Sequence, residues 1–214
     1  MALAEVIPLF PLPNIVLFPY MPLPLHIFEP RYRAMVRDAL AGPRLIGMVL
    51  LRGDWKSEYE ARPPIYTTGT VGQIVHVDEL TDGRFNIVLR GSREFTIGDE
   101  LPPRTLYREA RVRWREEASD TLATEAREGI LSLVHRYLSR VGRTPTSPRA
   151  LDHDVDGAAF VNFFAQHLDL EPVEKQALLE EATISGRGRR LAEVLEFRLL
   201  ETTATGTGPQ GRPQ

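Results

Sequence analysis

Two lysines, a handful of histidine–acid pairs and an arginine-rich stretch are the residues of this chain whose chemistry could be put to work. A Ser-Lys dyad needs a lysine desolvated beside its serine. Lys56 stands in a polar stretch and Lys175 between Glu174 and Gln176 at a helix start, so both are expected to be exposed. Gly91-Ser92 is followed by Arg93, which is not the G-x-S-x-G turn of a serine hydrolase. Histidines recur beside acids, as His26 with Glu29, His76 with Asp78, His153 with Asp154 and Asp156, and His167 with Asp169. None has the spacing that sets two ligands on one helix face, and each group is short of the three or four ligands a metal site uses. Surface histidines with local hydrogen bonds are the expectation. No G-x-x-x-x-G-K-[ST] occurs, and Gly186-Arg187-Gly188 follows a helix and lacks the third glycine of a dinucleotide loop. We therefore expect no catalytic residue, no metal and no cofactor. Arg104, Arg108, Arg111, Arg113 and Arg115 could line a phosphate-binding face. Their alternation is equally that of a solvated strand face, Glu109, Glu116 and Glu117 dilute the charge, and no exposed aromatics interleave for base stacking.

Composition narrows the partners further. The 214 residues suffice for a sizeable core, in one domain or two small ones. Lys+Arg 26 against Asp+Glu 29 leaves a net charge of −3, so no global field recruits nucleic acid or an anionic membrane. The absence of cysteine excludes disulfides, Cys-based zinc sites and thiol catalysis, and fits a reducing compartment, so a cytoplasmic protein is expected. The apolar N-terminus has neither a basic region nor a cleavage site, and its prolines would strand backbone groups in lipid; neither signal peptide nor membrane span is expected.

The elements that position these residues start with Ile7 to Val36, where apolar runs, repeated prolines and a helix start lie close together. Proline lacks an N–H, so Pro22 and Pro24, two apart, give a strand one edge that cannot donate, while Leu23, Leu25 and Ile27 share a buried face. Pro11 and Pro13 repeat that spacing. Phe18-Pro19-Tyr20 is expected to turn the chain between a strand Ile15–Phe18 and the next one. Pro30 then opens a helix over Arg31–Ala41 that buries Tyr32, Met35, Val36 and Leu40 and stops at Gly42-Pro43. Leu45–Leu51 reads as a central strand. Thr70–Leu80 and Arg84–Arg90 form a hairpin about Asp82-Gly83, Gly91 and Gly98 bound a further short strand, and Leu106–Arg115 alternates apolar with arginine. After Glu116 the period becomes helical: Ala126 to Val141 with Ile130, Leu133, Val134, Tyr137 and Leu138; a linker Thr144–Pro148; Asp156–Leu168; a helix opened by Pro172; and a fourth from about Arg189 to Glu201. Thr202–Gln214 has no apolar anchors and is expected to be disordered.

The run carried by Pro11-Leu12, Pro13, Phe18-Pro19 and Pro24-Leu25, with a short helix after it, resembles the N-terminal substrate-binding domain of the Lon protease family. Thr70-Val71-Gly72 at the hairpin and Ala165, His167-Leu168, Leu170, Glu174-Lys175-Gln176, Leu178-Leu179-Glu180 in the helical half strengthen the resemblance. It implies an α+β protein, with a PUA-like β pseudo-barrel lobe over 1–117, a helical lobe over 118–201 and a tail over 202–214. It also implies a non-enzymatic module, detached from ATPase and protease, that binds unfolded or tagged protein segments and works with a protease or chaperone in protein quality control. Exposed apolar surface would do the binding. The candidates are Tyr20 and Met21 in the turn between proline-bearing strands, and Trp55 and Tyr59 in the polar Arg52–Pro64 loop, against ordinary hairpin-end packing for the first pair and folding back on the core for the second. An RNA-binding PUA-like protein and a structural subunit are the rival readings.

Overall fold

A computed structural model describes residues 5–55, 62–116, 120–142 and 155–205, the last four by backbone alone, and over these residues the chain forms six strands and five helices. The strands are β1 (Val6–Leu12), β2 (Pro22–Ile27), β3 (Leu45–Leu50), β4 (Thr68–Glu79), β5 (Phe85–Glu100) and β6 (Arg108–Trp114), with α1 (Pro30–Ala41) between β2 and β3. After them come α2 (Thr124–Arg140), α3 (Gly157–His167), α4 (Pro172–Glu180) and α5 (Ile184–Thr205). The fold class is α+β.

All six strands join one mixed sheet in the order β2-β5-β4-β3-β1-β6, and β5 also pairs with β6. Five strands thus close on themselves, and β2 remains as an edge attached to the first half of β5. Only β1 and β3 run parallel. Ile7, Leu9, Val49, Val71, Phe95, Ala110 and Val112 fill one core cluster, drawn from alternate positions of the closed strands. A second cluster packs Tyr32, Met35, Val36 and Ala39 of α1 against Leu23 and Ile27 of β2 and Phe85, Ile87 and Leu89 of β5.

Prolines in β1 look out of place, since that strand has neighbours on both sides. The pairing is staggered: β6 lies beside Val6–Leu9 and β3 beside Leu9–Leu12. Pro8 and Pro11 therefore each occupy a half of the strand with one partner, where a missing N–H removes no ladder bond. Pro13 lies outside β1.

Several elements differ from expectation. Residues 15–18 are not a strand, although Val16, Leu17 and Phe18 are buried. Gly91 and Gly98 do not end β5, which runs through 16 residues, but the pairing is irregular beside both: Ser92 is skipped opposite Val71/Gly72 of β4, and the register with β6 shifts between Ile97 and Asp99, with a further shift against β4 at Ile74/His76. In α2 the buried stripe takes in Arg127, whose guanidinium lies 4.1 Å from the Phe160 ring centroid and donates to the Val155 carbonyl, while Ala126 is exposed. Helix α5 starts at Ile184, five residues before Arg189, because Asp120 accepts from the backbone N–H groups of Ile184 (2.9 Å) and Ser185 (2.8 Å). It runs on to Thr205, into the stretch expected to be disordered. The linker Thr144–Pro148 lies outside the described residues.

Two compact units emerge, one of Met1–Glu117 with Asn162–Glu180 and one of Ala118–Val161 with Glu181–Gln214. The second half of α3 and all of α4 therefore group with the sheet, where a division by secondary-structure type assigns them to the helices.

Candidate protein-binding surface

The turn Phe18-Pro19-Tyr20-Met21 is built like a type II turn, with proline second and a positive φ third; Tyr20 has φ 71°, where glycine or asparagine is usual. The Met21 N–H reaches the Phe18 carbonyl at 3.3 Å and the Tyr20 N–H donates to the Gly91 carbonyl at 2.8 Å. Gly91 N–H returns a bond to Met21 O at 2.9 Å. A Cβ on Gly91 would lie 2.1 Å from the Phe18 carbonyl oxygen, so the turn docks on β5 only because that position is bare. From the other side the Gln166 Oε1 accepts from the Phe18 N–H (3.1 Å) and the Asn162 amide donates to the Pro19 carbonyl (3.3 Å). These bonds hold a left-handed tyrosine that local sterics disfavour by about 1–2 kcal/mol.

Tyr20 itself is 51% exposed, whereas Met21 is 7% exposed. Of the two turn candidates only the tyrosine offers a side chain to a partner; the burial of Met21 removes it from the surface. Beyond the turn, β2 continues the exposure at every second residue: Pro22, Pro24, His26 and then Phe28, 59% exposed, while Leu23 and Ile27 face the core. Tyr20, Pro22, Pro24 and Phe28 thus form an apolar stripe along an edge strand, with His26 stacked on Phe28 at 6.2 Å. Across the same face lie Arg90 and Asn86 of β5 and Gln73, His76 and Asp78 of β4, a polar border. His26 is tied into it, with Nδ1 2.7 Å from Asn86 Oδ1 and Nε2 3.2 Å from the Arg84 guanidinium. All six residues of β2 are in register with β5, and the Gly91 N–H bond to Met21 O sets the phase in which the backbone N–H groups of Leu23, Leu25 and Ile27 turn to β5 and positions 22, 24 and 26 face the outer edge. Two of those three lack an N–H, so strand addition is weakened and side-chain contact favoured.

Trp55 lies half-buried after Gly53, whose φ is 67°, in an excursion closed at its stem by the Leu51–Ile65 bridge and by the Arg52 N–H on Pro64 O. Tyr59 falls outside the described residues, as do Lys56 and His153. Lys175 is not exposed as expected. It is half-buried, desolvation lowers its pKa against the opposing pull of Asp169, and its amine donates to the Gln166 carbonyl at 2.8 Å. The arginine-bearing strand is largely engaged: Arg108 with Glu100, Arg111 with Glu5, and Arg115 with Glu94 and the Leu179 and Glu180 carbonyls. Among the described residues no three His, Asp or Glu side chains converge as a metal site requires. No described helix is long and apolar enough to cross a membrane.

The model of the ATP-dependent protease La (LON) substrate-binding domain matches residues 6–196. The chain belongs to that family. Among sequence relatives, a Lon protease of Parabacteroides distasonis is 28% identical over 208 residues, 94% of this chain and 25% of that protein. Lon protease 2 of Herpetosiphon aurantiacus is 31% identical over 201 residues, 91% of this chain and 24% of the other. The chain therefore spans about a quarter of the length of these proteases. The crystal structure of a Lon N-terminal domain protein from Xanthomonas campestris superposes with a TM-score of 0.65 at 26% identity, over 91% of this chain and 99% of that one. The N-terminal domain of a Mycobacterium avium complex Lon protease gives the same score at 18% identity and speaks to the fold alone. The residues that carried the resemblance have physical roles here. Ala165, Leu168, Leu170, Leu178 and Leu179 are buried, Glu174 accepts from the Glu171 N–H, and Gln176 donates to the Thr68 carbonyl of β4.

The stripe was half legible in the sequence. The Pro22/Pro24 alternation was visible, but its extension to Phe28 was not, because Phe28 lies past the end of β2, between that strand and the helix opened by Pro30.

Proposed function

We propose that this chain is a non-enzymatic substrate-recognition module that captures unfolded or tagged protein segments through the Tyr20-Pro22-Pro24-Phe28 stripe, in the cytoplasm, in protein quality control or as a protease-associated adaptor. One observation carries the reading: Tyr20, Pro22 and Pro24 stay exposed at a two-residue repeat, continued by His26 and then Phe28, along an edge strand that lacks an N–H at Pro22 and Pro24, with a polar border beside them. Such an edge offers an extended apolar segment side-chain contacts without a demanding sequence code. Family membership supports the same role. Trp55 and Tyr59 of the polar loop are proposed as additional anchors.

The test is capture of an end-blocked, aromatic-rich peptide and of an unfolded protein by Tyr20→Gly, Phe28→Ala and the double variant Trp55→Ala/Tyr59→Ala. Aromatic anchors at interfaces typically cost about 2 kcal/mol or more on truncation. Weaker capture at an unchanged thermal midpoint is expected. Unaltered binding per folded molecule in the Tyr20 and Phe28 variants would move the site off β2, and the same result for the double variant would return both loop rings to the core. The purified chain is expected neither to hydrolyse ATP nor to degrade casein, and activity that copurifies through mutation controls would overturn the non-enzyme reading.

A further inference from the structure

Elsewhere in the same unit, a cavity of about 200 Å³ opens between the stem of the polar loop and the start of β6. Its walls include Leu51, Pro63 and Tyr107, and three guanidinium groups, of Arg31, Arg62 and Arg108. Among the described residues no carboxylate lines it. Of the described acids nearby, Glu100 is held by Arg108, Glu29 by Arg31 at 2.8 Å and Asp38 by the Tyr107 hydroxyl, which donates to it at 2.8 Å, while Glu109 accepts from the Thr105 hydroxyl at 3.4 Å. Burial, together with that bond, pushes the Tyr107 pKa upward, so the phenol stays a neutral donor to Asp38.

The three arginines are not equivalent. Arg108 is fixed, with its Nε 2.9 Å from Glu100 and Nη1 2.7 Å from the Pro63 carbonyl. Arg62, whose side chain is 41% exposed, makes longer contacts, 3.4 Å to the Leu101 carbonyl and 3.8 Å to Glu100, whose oxygens Arg108 already holds. Its guanidinium can turn to a better acceptor without leaving a buried group unsatisfied. The cavity thus joins an apolar wall to an adaptable cation among its lining residues.

Size and charge together select the ligand. Sites for drug-sized molecules run from about 300 to 1,000 Å³, so 200 Å³ suits one side chain. A chain terminus carries an apolar side chain and a carboxylate on the same Cα, and the carboxylate meets a guanidinium fork in a bidentate, charge-assisted geometry. We infer that this cavity captures the C-terminal residue of a protein or peptide, apolar in side chain, with its α-carboxylate on Arg62. The inference rests on the substrate-recognition reading but uses a different surface from the β2 stripe.

The experiment compares fluorescein-labelled hexapeptides ending in leucine as the free acid and as the amide, by anisotropy on the full chain. The free acid should bind at least about tenfold more tightly, the effect of a charge-assisted hydrogen bond in a partly desolvated site, and the preference should shrink with added salt. Arg62→Gln, a change at a half-exposed side chain, should abolish the acid-over-amide ratio. Equal binding of acid and amide by the unaltered protein overturns the inference and needs no variant to fold. So does a ratio that survives Arg62→Gln, or displacement by inorganic phosphate where chloride at equal ionic strength is inert, which would mark a general anion site. The two proposals fail separately. Capture of the end-blocked peptide with no acid preference sinks only the cavity, and acid-selective binding without capture of the blocked peptide sinks only the stripe.

Discussion

Tyr20 combines exposure with a backbone conformation that costs an L-residue about 1–2 kcal/mol. Glycine there relieves the strain while adding unfolded-state freedom of similar size. Tyr20→Gly should therefore leave the thermal midpoint unchanged or slightly raised while lowering capture, and a calorimetric scan beside a binding isotherm reads both. Gly91 is the opposite case. Its missing Cβ is what admits the Phe18 carbonyl, so Gly91→Ala should destabilise by about 1–3 kcal/mol, the range of overpacked sites. Denaturant midpoints check this, and a loss under a few tenths of a kcal/mol would mean that the turn can lift off β5 freely.

Among the elements, α5 shows most plainly how a helix end is fixed by a residue far away in sequence. Asp120 accepts from two N–H groups of its first turn, and the Ser185 hydroxyl, together with those bonds, holds the Asp120 carboxyl below its ordinary pKa. A depressed folded-state value means that the ionised form is the one the fold favours. Its contribution is complete above the usual aspartate value, about pH 4, and disappears as pH falls through the lower folded value. Asp120→Ala should cost at most about 1 kcal/mol at neutral pH, and the gap to the unaltered protein should close in acid. Urea midpoints between pH 7 and pH 2.5 measure it; a constant gap would show that the carboxylate charge is immaterial. The pattern of α5 alone could not place this start, because Gly186 and Gly188 read as loop residues and the cap that offsets them lies on another segment.

At the scale of the molecule, the sheet unit is completed by residues 162–180, which come late in the chain. Gln166 and Asn162 hold the Phe18-Pro19 turn, Gln176 binds the Thr68 carbonyl, and Arg115 donates to the last carbonyls of α4. A fragment of residues 1–117 leaves the Phe18 N–H, the Pro19 and Thr68 carbonyls and the Arg115 guanidinium without these partners, at a cost of about 1–3 kcal/mol for each one that stays buried. It should melt well below the full chain and lose peptide capture. Matching midpoints for fragment and full chain would show that α3 and α4 are dispensable to the sheet.

The sequence by itself determined most of the elements and the family. The Asp82-Gly83 hairpin, the helix opened by Pro30 and the alternating strand at Arg108–Trp114 all follow from backbone periods of two and 3.6 residues that act over a few neighbours. The motif from Ala165 to Glu180 was readable for the same reason, as one helix-rich run with its own stripe. What tertiary structure alone decided are relations between distant segments. These include the staggered partners that make prolines tolerable inside the sheet, the grouping of α4 with β strands, the glutamates that occupy the arginines, and the cavity between loop stem and β6. Such relations depend on loop closure and packing across a hundred residues or more, and a local pattern of apolar and polar side chains carries no record of which distant surface each one meets.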